Sequence, residues 1–137
     1  MCPLTIRARD VMQKDVVVIN ASETVATAIK TMLEKNVWSL VVSKGGLPVG
    51  FVTERDLIRR CFAKGLDPEH SHLESIMSSP LITAGPDTPL IQIMALMTEK
   101  NIRRVYIVDE GQIMGRITQT GAFAEVINVM MSISGIL

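Results

Sequence analysis

Apolar and polar residues along this chain follow two alternating periodicities, and their order predicts the secondary structure. Short apolar runs bounded by turn residues indicate buried strands. Between them apolar residues recur at helical spacing, first at Val25, Ile29, Met32 and Leu33. The predicted elements of the first half are a strand over 15–19, a helix capped by Ser22 and ending near Asn36, strands over 38–43 and 48–53, and a helix over 54–64 ended by Gly65.

The second half of the chain repeats the same order of elements. Its predicted elements are a strand over 81–83, a helix capped by Asp87 with Pro89 in its first turn, strands over 104–108 and 112–118, and a final helix over 119–131. Residues 65–72, which contain Gly, Pro and polar side chains, are predicted to link the two halves.

The two halves are copies of one unit, because the sequence matches itself after a shift of 65 positions. The identities at this shift are Met12 with Met77, Glu34-Lys35-Asn36 with Glu99-Lys100-Asn101, Gly46 with Gly111, Gly50 with Gly115, and Thr53 with Thr118. Shorter periods repeated many times produce solenoids. A longer period that occurs only twice favours a closed pair.

Each copy has roughly sixty residues, too few to bury a large core alone. We therefore expect one module over residues 1–137, in which repeat 1 (about 9–64) packs on repeat 2 (about 73–131). The predicted fold class is α+β, with tandem β-α-β-β-α repeats. Two small three-stranded sheets would carry helices on their outer faces and be related by a pseudo-twofold axis, which leaves two clefts.

Composition and charge exclude several classes of protein. The 137 residues are 47% hydrophobic, and 14 basic residues balance 14 acidic ones, so no electrostatic footprint for nucleic acid or an anionic membrane is present. The N-terminal segment lacks the apolar core of a signal peptide. The two cysteines, Cys2 and Cys61, form no disulfide framework. These observations predict a cytoplasmic protein that binds neither nucleic acid nor membranes.

The residues best suited to chemistry stand at the end of a predicted strand. Thr53 closes the third strand, and Asp56 follows one helical turn later on the same side. A threonine at a helix start can offer its hydroxyl and nearby N–H groups to an anion. A carboxylate can accept hydrogen bonds from the vicinal diol of a ribose. The pair therefore fits a nucleotide; alternatively, Thr53 only caps the helix and Asp56 is only a favourable first-turn acid.

The repeated layout resembles a known family. A methionine precedes the first strand, Asn-[Val/Ile] precedes the second, and the third ends as Gly-x2-Thr-x2-Asp, which is similar to a pair of cystathionine-β-synthase-type (CBS) domains, or Bateman module. The resemblance covers about residues 9–124. It implies a regulatory module without catalysis that requires no cofactor. Such modules bind AMP, ADP, ATP or sometimes S-adenosylmethionine in the clefts between paired repeats.

Carried over position by position, the resemblance assigns phosphate to Thr53 and the ribose hydroxyls to Asp56. The family's phosphate-binding cations would be Arg103 and Arg104, of which at most one enters the site deeply, because adjacent strand residues point to opposite faces. Ordinary solvated surface is the alternative for both. Adenine would lie against the apolar residues of the first strand, namely Val16, Val17 and Val18.

The second copy departs from this pattern. Gly121 stands where the aspartate is expected, and Trp38 and Ser39 replace the two arginines on the facing segment. Thr118 alone makes a weaker second site, where Trp38 either stacks on a base or fills the cavity. We expect one competent adenosine site per chain.

Other features narrow the function. His70 and His72 lie in the linker without further metal-ligand spacing, so a solvated linker is favoured over a metal site. No nucleophile–base pair is visible, which argues against an enzyme. The apolar C-terminal helix predicts a homodimer; its residues are Phe123, Val126, Ile127, Met130, Met131, Ile133, Ile136 and Leu137. The leading prediction is a stand-alone adenosine-nucleotide sensor that signals to a partner protein. The alternatives are a scaffold subunit with vestigial sites, a module for S-adenosylmethionine, and a small enzyme acting on nucleotides.

Overall fold

The computed structural model describes residues 5–135 and divides them into two compact units. Residues 16–81 form the first unit, and residues 5–15 together with 82–135 form the second unit. Three residues used in the sequence analysis, Cys2, Ile136 and Leu137, lie outside the described part of the chain.

The helices and strands follow the repeated order along the chain. They are α1 (Ala8–Val11), β1 (Val18–Asn20), α2 (Val25–Lys35), β2 (Ser39–Lys44), β3 (Leu47–Thr53), α3 (Glu54–Asp56), β4 (Thr83–Ala84), α4 (Leu90–Lys100), β5 (Arg104–Asp109), β6 (Gln112–Thr118) and α5 (Gln119–Ile133). Helix α3 continues into a π-helical segment, Leu57–Cys61, and a 3-10 turn, Phe62–Lys64; a second 3-10 turn covers Leu73–Ser75.

Each unit contains one three-stranded sheet, which confirms the predicted α+β architecture. In the first unit the strand order is β1-β2-β3, with β1 parallel to β2 and β2 antiparallel to β3. In the second unit β4, β5 and β6 pair in the same way. Both hairpins carry a register shift at the same point of the repeat, after Val42 and after Ile107. The duplication therefore extends to the irregularities of the sheets.

The core of each unit lies between one sheet face and its helices. In the first unit the buried cluster includes Val25, Ala28, Met32, Leu40, Val42, Val52 and Leu57. At the same shift the second unit buries Leu90, Ile93, Met97, Val105, Ile107, Ile117 and Ala122. Two of these positions change size in opposite directions, since Ala28 becomes Ile93 while Leu57 becomes Ala122. The changes at these two positions offset each other in volume, which is the substitution pattern that cores tolerate best.

Several predicted element ends need correction. The first strand is Val18–Asn20 and not 15–19, because residues 15–17 precede the paired positions of the ladder. Thr24 and not Ser22 caps α2, and the Thr24 hydroxyl accepts from the amide of Thr27 at 3.2 Å. Ser22 instead donates its amide and hydroxyl to the Asn20 side chain within the preceding turn.

The second copy needs three corrections of the same kind. Its first strand is Thr83–Ala84, slightly later than predicted. Pro89 and not Asp87 occupies the cap position of α4, while Asp87 accepts a hydrogen bond from Arg9 Nε at 2.9 Å. This contact lowers the pKa of the Asp87 carboxyl. Helix α5 runs to Ile133, and no helix within residues 5–135 is long and apolar enough to cross a bilayer.

In each unit an extended segment crosses the outer strand of the hairpin above a glycine. This crossing segment contains Met77 and Ser78 in the first unit and Met12 and Gln13 in the second unit. In the first unit Ser78 exchanges both backbone hydrogen bonds with Phe51, at 2.8 and 2.9 Å. A Cβ atom on the neighbouring Gly50 would lie 2.6 Å from the Ser78 carbonyl oxygen. Only glycine therefore allows this approach of two backbones.

The second unit makes the same crossing with the other copy of the repeat. Gln13 exchanges both backbone hydrogen bonds with Arg116, at 2.8 and 2.9 Å. A Cβ atom on Gly115 would lie 2.7 Å from the Gln13 carbonyl oxygen and 3.0 Å from Met12 Cγ. The methionine segment that begins each copy thus packs on the glycine strand of the other copy. The units consequently do not coincide with the sequence repeats.

We expect Gly50→Ala and Gly115→Ala each to lower the free energy of unfolding by about 1–3 kcal/mol, the usual cost of overpacking. Urea unfolding followed by circular dichroism measures this effect. Gly85→Ala is the matched control, because its Cβ would meet nothing closer than 3.9 Å. Equal stability of all three variants would contradict the proposed role of the crossing.

Candidate functional site

Thr53 and Asp56 are bonded to each other at the junction of β3 and α3. The Thr53 hydroxyl accepts from the Asp56 amide at 3.2 Å and donates to Asp56 Oδ2 at 3.2 Å. The same carboxylate oxygen accepts from the Thr53 amide at 3.0 Å. This reciprocal arrangement is a capping box. Thr53 therefore caps the helix and Asp56 is its first-turn acid, as the alternative interpretation predicts. The same contacts bring the two predicted ligand groups together.

The other carboxylate oxygen of Asp56 faces two further side chains. The Ser78 hydroxyl donates to Oδ1 at 3.2 Å, and Arg60 Nε lies 3.6 Å from the same oxygen. Only 12% of the Asp56 side chain is exposed. Arg60 also donates to the Met77 carbonyl oxygen at 3.0 Å. The acid is therefore held at the place where the crossing segment passes the start of the helix.

The face of the first sheet that points away from the core carries Val18 and ends at Thr53. Partners in the ladder share a face, which places Val18, Val41 and Phe51 in one row and Ser39 and Thr53 in the next. Val18 is 49% exposed, whereas Val41 is buried. This face is apolar and ends at the Thr53 hydroxyl.

The three valines predicted to line adenine do not share one environment. Val18 lies on the face just described, and Val17 packs against the buried cluster of the first unit. The Val17 carbonyl oxygen accepts from the Val41 amide at 2.9 Å, and Val16 is half-buried before the strand begins. Val18 is therefore the best placed of the three for contact with a planar ligand.

The corresponding junction in the second unit lacks the acid. The Thr118 hydroxyl caps α5 by accepting from the Gly121 amide at 3.0 Å. In place of the Ser78–Asp56 contact, Gln13 Oε1 accepts from Arg116 Nε at 3.1 Å. Asp15 also lies near this guanidinium, at 3.8 Å. The local cap is conserved between the two copies while the potential ribose acceptor is not.

The second sheet carries Arg104, Tyr106 and Arg116 at the positions where the first sheet carries Ser39, Val41 and Phe51. Arg104 pairs with Thr118, and Tyr106 pairs with Arg116, so all four share one face. Burial raises the pKa of Tyr106, and a hydrogen bond and the charge of Arg104 oppose that rise. Arg103 is exposed and precedes the strand, whereas Arg104 is half-buried. Of the two predicted phosphate cations, Arg104 is thus the one held by the fold.

Trp38 lies on the surface of the first unit, where its carbonyl oxygen accepts from the Glu54 amide at 3.2 Å. Its side chain is 60% exposed. It lines a shallow apolar groove of about 250 Å³ together with Leu33, Ile58 and Phe62. This groove lies on the helical side of the unit, so the predicted role of Trp38 in a second nucleotide site remains a prediction.

The linker histidines have ordinary partners. His70 Nδ1 contacts Asp67 at 2.6 Å, and His72 Nδ1 contacts the Ser22 carbonyl oxygen at 2.8 Å. Asp67 raises the pKa of His70, first through the hydrogen bond and then through its charge. Within residues 5–135 no group of three His, Cys, Asp or Glu side chains is arranged to hold a metal.

Sequence reasoning missed Ser78 and Arg60. Ser78 is 22 residues from Asp56, and nothing in the spacing indicates their contact. The pairing of Met77 with Met12 at the repeat shift was the available signal, because a repeated residue outside any helix or strand indicates a repeated contact. Arg60 reaches the crossing segment from the π-helical segment, whose irregularity leaves no clear trace in the sequence.

Because α5 starts without an acid, we expect Gly121→Asp to raise the free energy of unfolding by about 1 kcal/mol. An aspartate there would complete the capping box seen at Thr53 and remove a helical glycine. Urea unfolding measures the change, and Gly121→Ala separates the glycine effect from the carboxylate effect. A Gly121→Asp variant no more stable than Gly121→Ala would refute the capping contribution.

Both copies of the repeat match the same family of known proteins. A model of the CBS domain matches residues 8–63 and again residues 73–132. An uncharacterized protein from Methanopyrus kandleri is 34% identical over 111 residues, which cover 80% of this chain and 57% of that protein. The chain therefore spans little more than half of that relative's length.

Two solved structures are similar over most of the chain. An uncharacterized conserved protein from Pyrococcus horikoshii superposes with a TM-score of 0.76 at 34% identity, covering 90% of this chain and 93% of that one. A hexameric CBS-CP12 protein from bloom-forming cyanobacteria gives a TM-score of 0.77 at 30% identity and covers 90% and 73% of the two chains.

Proposed function

This chain belongs to the CBS domain family, and from that membership we propose that it is a regulatory module that binds an adenosine nucleotide through Asp56 and Thr53. The observation that supports this ligand most directly is the nearly buried Asp56 carboxylate in α3, next to the hydroxyl of Thr53 at the end of β3. A carboxylate is the acceptor that a vicinal diol requires, and a threonine at a helix start suits an anion.

The surroundings of this pair fit the rest of a nucleotide. The face with Val18, Val41 and Phe51 offers apolar surface for a base, and Thr53 lies at the end of that face. Arg103 and Arg104 remain our candidates for phosphate, since a guanidinium can donate two parallel hydrogen bonds to it. AMP, ADP and ATP share the groups recognised here; S-adenosylmethionine shares only the adenosine.

Signalling follows from differential affinity and needs no catalysis. A ligand that binds one conformation of the module more tightly shifts the population towards that conformation, by no more than the difference in binding free energy. A partner protein that contacts the favoured conformation would then read the occupancy of the site. The regulated partner is part of this proposal.

The test is titration calorimetry with AMP, ADP, ATP and S-adenosylmethionine. We expect at least one of them to bind, and Asp56→Asn to weaken that binding by about 10–100-fold, because hydrogen bonds to a charged acceptor contribute about 1.5–3 kcal/mol. A second test variant is Thr53→Val, and its matched control is Thr118→Val, because both threonines cap a helix in the same way. Only Thr53→Val should weaken binding.

Two further arms assign the groups of the ligand. 2′-Deoxy-AMP should bind wild-type protein about as weakly as AMP binds Asp56→Asn, and the two losses should not add. Arg103→Gln and Arg104→Gln should weaken AMP but leave adenosine unchanged if either residue holds phosphate. Absence of heat with all four ligands, or full affinity in Asp56→Asn, would refute the proposed site.

The C-terminal helix supports a second proposal, that the module is a homodimer. Helix α5 exposes Phe123, Ile127, Met130 and Ile133, at 62%, 36%, 60% and 66%, along one side. Residues of α4, α5 and the N-terminal segment also line an apolar groove of about 700 Å³. A contiguous exposed apolar patch marks an interaction surface, and a twofold dimer would bury the same patch on both copies.

We expect the native protein to elute as a dimer in size-exclusion chromatography with light scattering, and Phe123→Glu with Met130→Glu to convert it to monomer. The matched control is Leu47→Glu, because Leu47 is a similarly exposed apolar residue, at 56%, in the first hairpin and outside α5. A monomeric wild-type protein would refute dimerisation, and a double variant that stays dimeric would refute the α5 surface.

A further inference from the structure

The acceptor capacity of Asp56 is nearly used up by donors of the chain itself. A carboxylate has about four acceptor positions. Oδ2 takes the Thr53 amide at 3.0 Å and the Thr53 hydroxyl at 3.2 Å. Oδ1 takes the Ser78 hydroxyl at 3.2 Å and faces Arg60 Nε at 3.6 Å. A diol with two hydroxyl donors must therefore displace a donor that is already present.

Ser78 is the donor best suited to displacement. The Thr53 amide donates to Asp56 within the capping box of the helix, so its loss would expose the start of α3. The Thr53 hydroxyl stays beside Asp56 in any case, because it accepts from the Asp56 amide in the same capping box. The Ser78 hydroxyl, in contrast, belongs to another segment and reaches Asp56 only because Ser78 is paired with Phe51. Its single hydroxyl donor is also the chemical equivalent of one ribose hydroxyl.

A comparison of the two copies of the repeat supports a functional link between Ser78 and Asp56. Where the first unit combines Asp56 with Ser78, the second unit combines Gly121 with Gln13 at the same positions. The acid and the hydroxyl are therefore both present or both replaced. The Gln13 side-chain oxygen accepts from Arg116, whereas the Ser78 hydroxyl donates to Asp56.

We propose that the Ser78 hydroxyl is an internal competitor that occupies Asp56 until a vicinal diol displaces it. This proposal rests on the proposed function of Asp56 as a ribose acceptor. Arg60 links Asp56 to the backbone of the crossing segment. Its guanidinium lies beside Asp56 Oδ1 and donates to the carbonyl oxygens of Met77 and Ile76 at 3.0 and 3.4 Å. Binding of the diol thus weakens the attachment of the crossing segment to β3.

The experiment compares AMP affinity in wild type, Ser78→Ala, Ser78→Cys and Ser79→Ala by titration calorimetry. We expect Ser78→Ala to bind AMP more tightly, by about tenfold or more, because the lost competitor is one hydrogen bond to a charged group. Ser78→Cys fills the same site with a weak donor and should shift in the same direction, which covers the case in which the alanine variant does not fold. The exposed neighbour Ser79 is the matched control and should leave affinity unchanged.

Hydrogen exchange provides the second readout. AMP should speed exchange of the Ser78 and Phe51 amides in wild type, and this increase should be smaller in Ser78→Ala, where the side-chain contact is already absent. If wild type binds AMP and the Ser78 variants bind it equally or less well, the competitor is refuted while the nucleotide site stands. If Ser78→Ala binds AMP and wild type does not, the result supports Ser78 as the competitor. If neither wild type nor any variant binds AMP, the nucleotide site fails and the competitor with it.

Discussion

The backbone pairing of Ser78 with Phe51 across Gly50 is the contact on which the candidate site depends. It fixes the crossing segment to the outer strand of the hairpin, and this attachment brings a hydroxyl and an arginine contact to Asp56. The pairing requires a residue without a Cβ atom, because any side chain at that position would meet a carbonyl oxygen at 2.6 Å. Glycine at the equivalent point of the second copy serves the same contact with Gln13.

Much of the fold was accessible from the sequence because the repeat and the apolar periodicity agree. The shift of 65 positions aligned both hairpins and both core faces, and the α+β architecture with two three-stranded sheets was confirmed. The ends of short elements were less accessible. An apolar run such as Val16 to Ile19 looks the same whether its residues pair in a ladder or only pack beside one. Capping likewise depends on which of several polar residues, Ser22 or Thr24, turns towards the free amides.

The candidate site was predictable only where its residues are close in sequence. Thr53 and Asp56 are three positions apart, and their local geometry follows from a helix that starts after a strand. Ser78 joins them through a contact 22 residues away, and Arg60 joins them from a helical turn of irregular pitch. Neither relation produces a periodic signal. The division of the chain was hidden for the same reason, since 5–15 and 82–135 are grouped by packing and not by sequence order.

The reciprocal exchange of methionine segments has a consequence for the origin of the chain. A single ancestral copy, about half the present length, would have carried both a glycine strand and a methionine segment, yet in the present chain each such segment completes the copy other than its own. Two ancestral molecules could have satisfied each other by swapping these segments. Gene duplication would then have joined a swapped pair into one polypeptide and made an association that once depended on concentration independent of it.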